Sequence, residues 1–148
     1  MAGFILRKGF DEDDVDTVQA TGTLTVVIGD LLMISAIGST AVAVATASTS
    51  HWQMKWVAKE AATTSEALFK ATRVHPNQLW EVESANDSNV AHNGDRMLLT
   101  DKDTVNNTGT DNTSKEAVVI QVGTLGAVGD KRILVRFFSS TGVNPDAT

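Results

Sequence analysis

Residues 118–137 read VVIQVGTLGAVGDKRILVRF, and this stretch decides the fold class of the chain. Apolar side chains alternate at both of its ends, which is the pattern of β-strands that bury one face. The apolar positions are Val118, Ile120 and Val122 in the first half and Ile133, Val135 and Phe137 in the second. The glycine-rich segment GTLGAVGDK between them indicates a turn. The stretch therefore predicts an antiparallel β-hairpin.

The Gly-Asp pair inside that turn occurs twice more, each time before an apolar run. Gly29-Asp30 precedes LLMISAI, Gly94-Asp95 precedes RMLLT, and Gly129-Asp130 precedes KRILVRFF. Glycine accepts a positive φ and aspartate bonds to nearby backbone amides, so the pair makes a tight turn before a strand. These turns and the many threonines predict a mainly β body, either a compact β-barrel or a sandwich.

Three segments of the body receive more specific predictions. Residues 52–58 alternate as a strand that places Met54 and both of its tryptophans on one face. Residues 59–72 are predicted to hold the one short helix, because a threonine and a glutamate there have capping-box spacing. A strand that ends in a helical turn fits the same residues. Residues 90–92 are predicted to form a strand after the turn NDSN.

The N-terminal segment, residues 1–20, is predicted to be an extended arm outside the body. The body then spans residues 21–138, and residues 139–148 form a flexible tail. The arm carries four large apolar side chains: Phe4, Ile5, Leu6 and Phe10. The acidic run DEDDVD at 11–16 keeps the connection to the body hydrated. Because such a segment does not fold alone, we expect the four side chains to dock on a partner, with a frayed terminus as the alternative.

Composition excludes several classes of function. The 148 residues fit one domain, and the net charge of −6 argues against nucleic-acid binding, which needs clustered Lys and Arg. The chain has no cysteine, so disulfides and thiolate metal sites are excluded. Residues 31–54 lack charge, but their serines, threonines and glycine favour two strands over a membrane span. The first residues do not have the pattern of a signal peptide.

No catalytic motif is present in the sequence. The histidines His51, His75 and His92 are far apart and lack the close spacing of a helical zinc site. The polar loop at 101–115 contains acids without a recognised ligand spacing, which leaves a cation there open. We therefore predict a protein that is not an enzyme and that has no cofactor.

In organisation, residues 1–138 resemble the capsid decoration proteins of tailed bacteriophages, also called cement or auxiliary head proteins. The resemblance rests on a short cysteine-free chain, a free N-terminal arm, Thr/Ala/Val-rich strands and the hairpin at 118–137. It includes no diagnostic motif. Many such proteins have a β-barrel or β-tulip-like body and bind the outside of the expanded shell, commonly as trimers.

The resemblance implies a structural virion protein that is made in the host cytoplasm and stabilises the expanded capsid from its outer surface. Its implied partners are the major capsid protein and further copies of itself, with no nucleic acid and no membrane. The four apolar residues of the arm become capsid anchors, and the small side chains of residues 40–47 become a packing surface between protomers.

Two other functions fit the residues. A carbohydrate- or receptor-binding β module of a virion fibre or tail would use Trp52, Trp56 and Trp80 as a stacking platform, although tryptophans on amphipathic strands are predicted to pack in the core. A small lyase or hydrolase on a β-barrel would depend on His75 or His92.

Overall fold

The computed structural model describes residues 3–8, 14–20, 25–34, 42–46, 54–63, 67–107, 117–126 and 130–137. Within these ranges the chain forms eleven strands and one turn of 3-10 helix, Val90–His92. The strands are β1 (Ile5–Lys8), β2 (Val15–Gln19), β3 (Leu31–Ile34), β4 (Val42–Val44), β5 (Met54–Ala58), β6 (Leu68–Arg73), β7 (Leu79–Ser84), β8 (Arg96–Asp101), β9 (Thr104–Asn106), β10 (Val119–Thr124) and β11 (Arg132–Phe137). The predicted mainly β fold is confirmed.

Strands β7 to β11 close into a five-stranded ring, which we call the C-terminal barrel. They pair in the order β7-β11-β10-β8-β9, and β9 returns to pair with β7 in parallel. The hairpin predicted from residues 118–137 is confirmed as the antiparallel pair β10–β11. Strand β9 pairs with Glu83 and Ser84, at the end of β7. The first half of the same edge of β7 pairs with β1, where Ile5 lies opposite Glu81.

Strands β2 to β6 form the second sheet, which we call the N-terminal barrel. They pair in the order β2-β6-β5-β3-β4. A parallel bridge between Ala20, just after β2, and Val42, at the start of β4, joins the two outer strands and closes the ring. The described strands thus build two small barrels in succession, and among them only β1 pairs with the barrel formed by the other half of the chain.

The two barrels pack against each other through β3 and β5, whose side chains point alternately into one core and into the other. Leu32 and Trp56 point into the N-terminal barrel, whereas Leu31 and Val57, one residue away, belong to the cluster that fills the C-terminal barrel. All four are buried. Neighbouring strand residues point to opposite faces, so β3 and β5 each contribute to both cores. This continuous apolar contact joins the barrels.

The alternation predicted for residues 52–58 is wrong at one position. Met54 packs in the C-terminal cluster and Trp56 packs in the N-terminal one, although both were expected on one face. The pairing of β3 with β5 shifts register between Leu32 and Met33, which is a β-bulge. A bulge adds one residue to a strand and therefore reverses the face of the side chains beyond it. Trp52 lies outside the described residues.

Two other local predictions are wrong. Leu68–Arg73 is strand β6 rather than part of a helix, because it pairs with β2 on one side and with β5 on the other. Its Phe69 and Ala71 point into the barrel, and this burial outweighs the helix propensity of the segment. Val90–His92 is a 3-10 turn rather than a strand, and Asn89 caps it by accepting the N–H of Ala91 at 2.9 Å.

The structure also corrects the N-terminal arm. Within residues 1–20, β1 belongs to the six-stranded sheet and β2 to the N-terminal barrel, so the described part of this segment is integrated into the body. The segment has too little apolar surface to fold alone. Its two strands are nevertheless ordered, because each of them completes a different sheet. The predicted tail at 139–148 lies outside the described residues.

Candidate partner-binding groove

The start of β1 is fixed against the turn that precedes β3. Gly3 has a φ of 96°, and a Cβ there would lie 2.9 Å from the backbone of Gly29, so the position requires glycine. Phe4 donates its N–H to the carbonyl oxygen of Gly29 at 2.9 Å. The ring of Phe4 is 3% exposed, and its centroid lies 5.1 Å from that of Phe137.

A three-residue ion network holds the rest of β1 to the C-terminal barrel. The carboxylate of Glu81 accepts hydrogen bonds from the Nε of Arg7 and the Nε of Arg132, both at 2.7 Å. Burial raises the pKa of Glu81, but the hydrogen bonds and charges of the two arginines outweigh burial and hold this pKa below its ordinary value. Two guanidinium groups share one carboxylate, so the network keeps a surplus positive charge beside β1.

An open apolar groove of about 360 Å³ lies between β1 and the N-terminal barrel. Ile5 and Leu6 line one side, and Ile28 and Thr72 line the other. Trp80 also lines it and is only 2% exposed, so it lies at the base. Ile28 is 53% exposed, which is unusual for a large apolar side chain beside a cavity. The groove thus presents apolar surface to solvent.

The groove follows an edge of β1 rather than one face of it. Ile5 pairs with Glu81 and Leu6 with Trp80, so their side chains point to opposite faces of the sheet. Both side chains line the groove. A cavity that contacts both faces must run along the strand edge, here the edge opposite β7. Among the described residues, no strand pairs with β1 on that edge.

Basic side chains outnumber acidic ones beside the groove although the whole chain is acidic. Lys59 lines it, and Arg7 and Lys8 continue β1 beyond Leu6. Both lysines are exposed, and the side chain of Arg7 is 52% exposed. The neighbouring acids are Glu81, which Arg7 shares with Arg132, and Glu60, whose carboxylate accepts the backbone N–H of Lys70 at 2.8 Å. Four basic side chains thus lie near two acidic ones, which leaves a surplus of positive charge beside the groove.

The structure brings together three of the four predicted anchors and changes the role of one. Phe4, Ile5 and Leu6 all line the groove, but Phe4 is buried in the core of its own chain and is not available to a partner in this fold. Ile5 and Leu6 are half-buried and contact the open space. Phe10 lies outside the described residues. Partner binding by Ile5 and Leu6 remains a prediction.

Two residues of the acidic run have structural roles that the sequence did not indicate. Asp16 accepts hydrogen bonds from the Nε1 of Trp56 at 2.8 Å and from the Nη2 of Arg73 at 2.7 Å. The hydrogen bond to Asp16 raises the pKa of Arg73. Asp14 forms an ion pair with His75. Strand β2 is thus tied to β5 and β6 by charge as well as by backbone pairing.

The structure keeps His75 and His92 apart from each other. His75 pairs with Asp14, and His92 pairs with Asp95, so each histidine has its own acid on a different loop. No group of three His, Cys, Asp or Glu residues in the described ranges is arranged to hold a metal. In the same ranges no helix is long and apolar enough to cross a membrane. His51 lies outside them.

The described tryptophans also do not form a sugar-stacking platform. Trp80 is 2% exposed and Trp56 is 8% exposed, and the ring of Trp80 packs edge-on against Phe137 at a centroid distance of 5.8 Å. Stacking on a sugar requires an open aromatic face. The prediction that tryptophans on amphipathic strands pack in the core is therefore confirmed for these two.

Comparison with known proteins finds a similarity in fold but no match to a family. No family model matches the chain, and no curated protein matches it. Among solved structures, the chain is similar to the N base of the head fibre protein gp8.5 of bacteriophage phi29. The sequence identity is 18%, the TM-score is 0.53, and the match covers 84% of this chain and 94% of that chain. The two proteins thus share a fold over most of their lengths.

Proposed function

We propose that this chain is a structural, non-enzymatic component of a tailed-phage virion and that it is located on the outer surface of the head. The observation that carries the proposal is the fold shared with the head fibre base of phi29 over 84% of this chain. The acidic composition, the absence of cysteine and the separately paired histidines His75 and His92 agree with a structural role. The earlier resemblance to decoration proteins supports the same assignment.

Within that role, the protein binds the expanded shell after its synthesis in the host cytoplasm and stabilises it. Its partners are the major capsid protein and two further copies of itself. Many copies of modest interfaces give strong overall binding without any single tight site. Ile5 and Leu6, in the electropositive groove, are the described residues best suited to contact the shell.

Cosedimentation with expanded, DNA-free capsids of the phage that encodes the chain tests this function. Purified protein should pellet with the shells, and the shells should then rupture at a higher temperature. Light scattering coupled to size exclusion should give three times the chain mass of 15.7 kDa. Protein that stays in the supernatant at saturating concentration would count against shell binding, whereas a monomer that still pellets would count only against the trimer.

Deletion of residues 2–19 does not provide a clean version of this test. The deletion removes both β1 and β2, and with them Phe4 from the core and Asp16 from Trp56 and Arg73. Loss of binding would then report unfolding. Charge reversal of the exposed Lys8 and Lys59 is the better perturbation, because neither side chain is buried.

A second candidate function is the base of a head appendage. The observation that favours it is that the similar solved structure is itself the base of a head fibre. A base would bind the shell at few places and leave its rupture temperature unchanged, whereas a cement protein would bind at many places and raise it. Counting bound copies per shell by electron microscopy separates the two.

A further inference from the structure

We propose that the groove beside β1 accepts an extended, acidic segment of a partner protein as an additional β-strand. The inference goes beyond the proposed function, because it depends on the groove alone and not on a phage head. Its structural basis is the juxtaposition of an unpaired strand edge, an apolar trough and a basic rim.

The backbone of β1 directs hydrogen-bonding groups into the groove. Phe4 donates its N–H to Gly29, on the edge opposite β7. Backbone groups of alternate strand residues point the same way, so the N–H and C=O of Leu6 project from that edge as well. No described strand pairs with β1 there. A partner strand would extend the six-stranded sheet by the hydrogen bonding that holds the sheet itself.

The walls of the groove accommodate apolar side chains at alternate positions of that strand. Ile5, Leu6 and Ile28 line the open part of the cavity, whose volume is about 360 Å³. Val27, next to Ile28, is 54% exposed and extends the apolar surface outside. A strand that adds to a sheet edge gains affinity from its backbone and specificity from pockets for every second side chain. The occupant should therefore carry apolar residues at every second position.

The charges beside the groove specify an acidic partner rather than a second copy of this chain. Lys59 lines it, Arg7 and Lys8 lie farther along β1, and Glu81 is already shared between two arginines. If β1 of a second copy paired with this edge, its Arg7 and Lys8 would lie opposite the basic side chains of the first copy. Like charges across a strand pair are destabilising. Aspartate or glutamate between the apolar residues of a partner would instead meet opposite charges.

The test is a selection of displayed random peptides of about ten residues, the upper length of an ordinary strand, against the full-length protein. Enriched peptides should alternate Val, Ile or Leu with Asp or Glu. The best one is then synthesised with N-methyl groups on alternate backbone amides, in each of the two registers. N-methylation of the amides that face β1 should weaken binding by more than about tenfold, whereas N-methylation of the other set should not. Only the first set of amides forms hydrogen bonds with the edge of β1.

Charge variants provide the control on the protein side. The double variant Lys8→Glu, Lys59→Glu should bind the selected peptide about tenfold more weakly. Lys131→Glu, an exposed lysine that does not line the groove, should leave the affinity unchanged. Enrichment of basic peptides, no enrichment, or equal effects of the two N-methyl registers would overturn the proposal. A dimer that competes with the peptide would also overturn it and assign the groove to a second copy. None of these outcomes depends on a capsid, so they remain separate from the test of the proposed function.

Discussion

Replacing Glu81 with glutamine should loosen β1 from the C-terminal barrel without changing the shape of the side chain. Glu81 is 7% exposed, and its carboxylate receives hydrogen bonds from Arg7 on β1 and Arg132 on β11. Glutamine keeps one acceptor oxygen but removes the charge that both guanidinium groups share. The two arginines then lose the carboxylate to which both donate hydrogen bonds.

The two arginines do not contribute equally to the expected loss. The side chain of Arg7 is 52% exposed and regains water, so its share is at most about 1 kcal/mol. The side chain of Arg132 is only 20% exposed, and a lost hydrogen bond between charged groups costs about 1.5–3 kcal/mol there. We therefore expect Glu81→Gln to lower the free energy of unfolding by about 2–3 kcal/mol at neutral pH.

Urea unfolding followed by the fluorescence of the buried tryptophans measures this loss at several pH values. The pKa of Glu81 is lowered in the folded state, so its stabilisation is fully present above the unfolded pKa of about 4.3 and is lost as pH falls through the folded pKa. The difference between the natural protein and Glu81→Gln should therefore be constant from neutral pH to about 4.3 and then shrink.

Glu83→Gln is the matched control, because Glu83 lies two residues along β7 on the same face of the sheet. This residue is half-buried and lies directly opposite Arg132 in the β7–β11 pair, so its substitution should lower the free energy of unfolding by about 0.2–1 kcal/mol, less than the loss expected for Glu81→Gln. The reasoning is refuted if Glu81→Gln costs less than about 0.5 kcal/mol at neutral pH. It is also refuted if the difference from the natural protein does not shrink in acid.

Four further substitutions test other parts of the fold by the same unfolding measurement. Gly3→Ala should lower the free energy of unfolding by at least about 2 kcal/mol, because the new Cβ meets the backbone of Gly29. Gly94 has a φ of 89° but open space around it, so Gly94→Ala should lower this free energy by only about 1 kcal/mol. Asp16→Asn should cost about 1 kcal/mol, because it removes the charge that binds Arg73 at the partly exposed rim of the N-terminal barrel. Met97→Ala, which opens a cavity in the C-terminal barrel, should cost about 2–5 kcal/mol, and a smaller loss would mean that the barrel collapses around it.

Local signals in the sequence predicted the strands correctly wherever the backbone pairing follows the alternation of apolar and polar residues. The Gly29-Asp30 turn forms as expected, with a φ of 95° at the glycine and the carboxylate of the aspartate accepting the N–H of Val27 at 2.9 Å. The hairpin β10–β11 is also local. The failures at β6 and β5 have a different origin, because a strand with neighbours on both edges overrides helix propensity, and a bulge is invisible in alternation. The division into two barrels depends on pairings between distant residues, such as Ala20 with Val42, which no local pattern encodes.

The groove was only half predictable for the same reason. Ile5 and Leu6 were identified because large apolar residues in a short polar segment need a partner. No local pattern indicates that part of that partner is the chain itself. The ion network was missed because its members, Arg7, Glu81 and Arg132, are far apart in the chain. Glu81 on an apolar strand was a signal that a buried carboxylate needs a cation, but spacing did not identify which one.

The way in which β1 is held decides how this protein can exchange a strand with a partner. Donating β1 to another molecule would expose Phe4, separate Gly3 from Gly29 and leave Glu81 without Arg7. All of these contacts are lost together when β1 leaves the sheet. Accepting a strand at the free edge of β1 breaks none of them and covers the exposed Ile28. The described contacts of β1 therefore favour accepting a partner's strand over donating β1 to a partner.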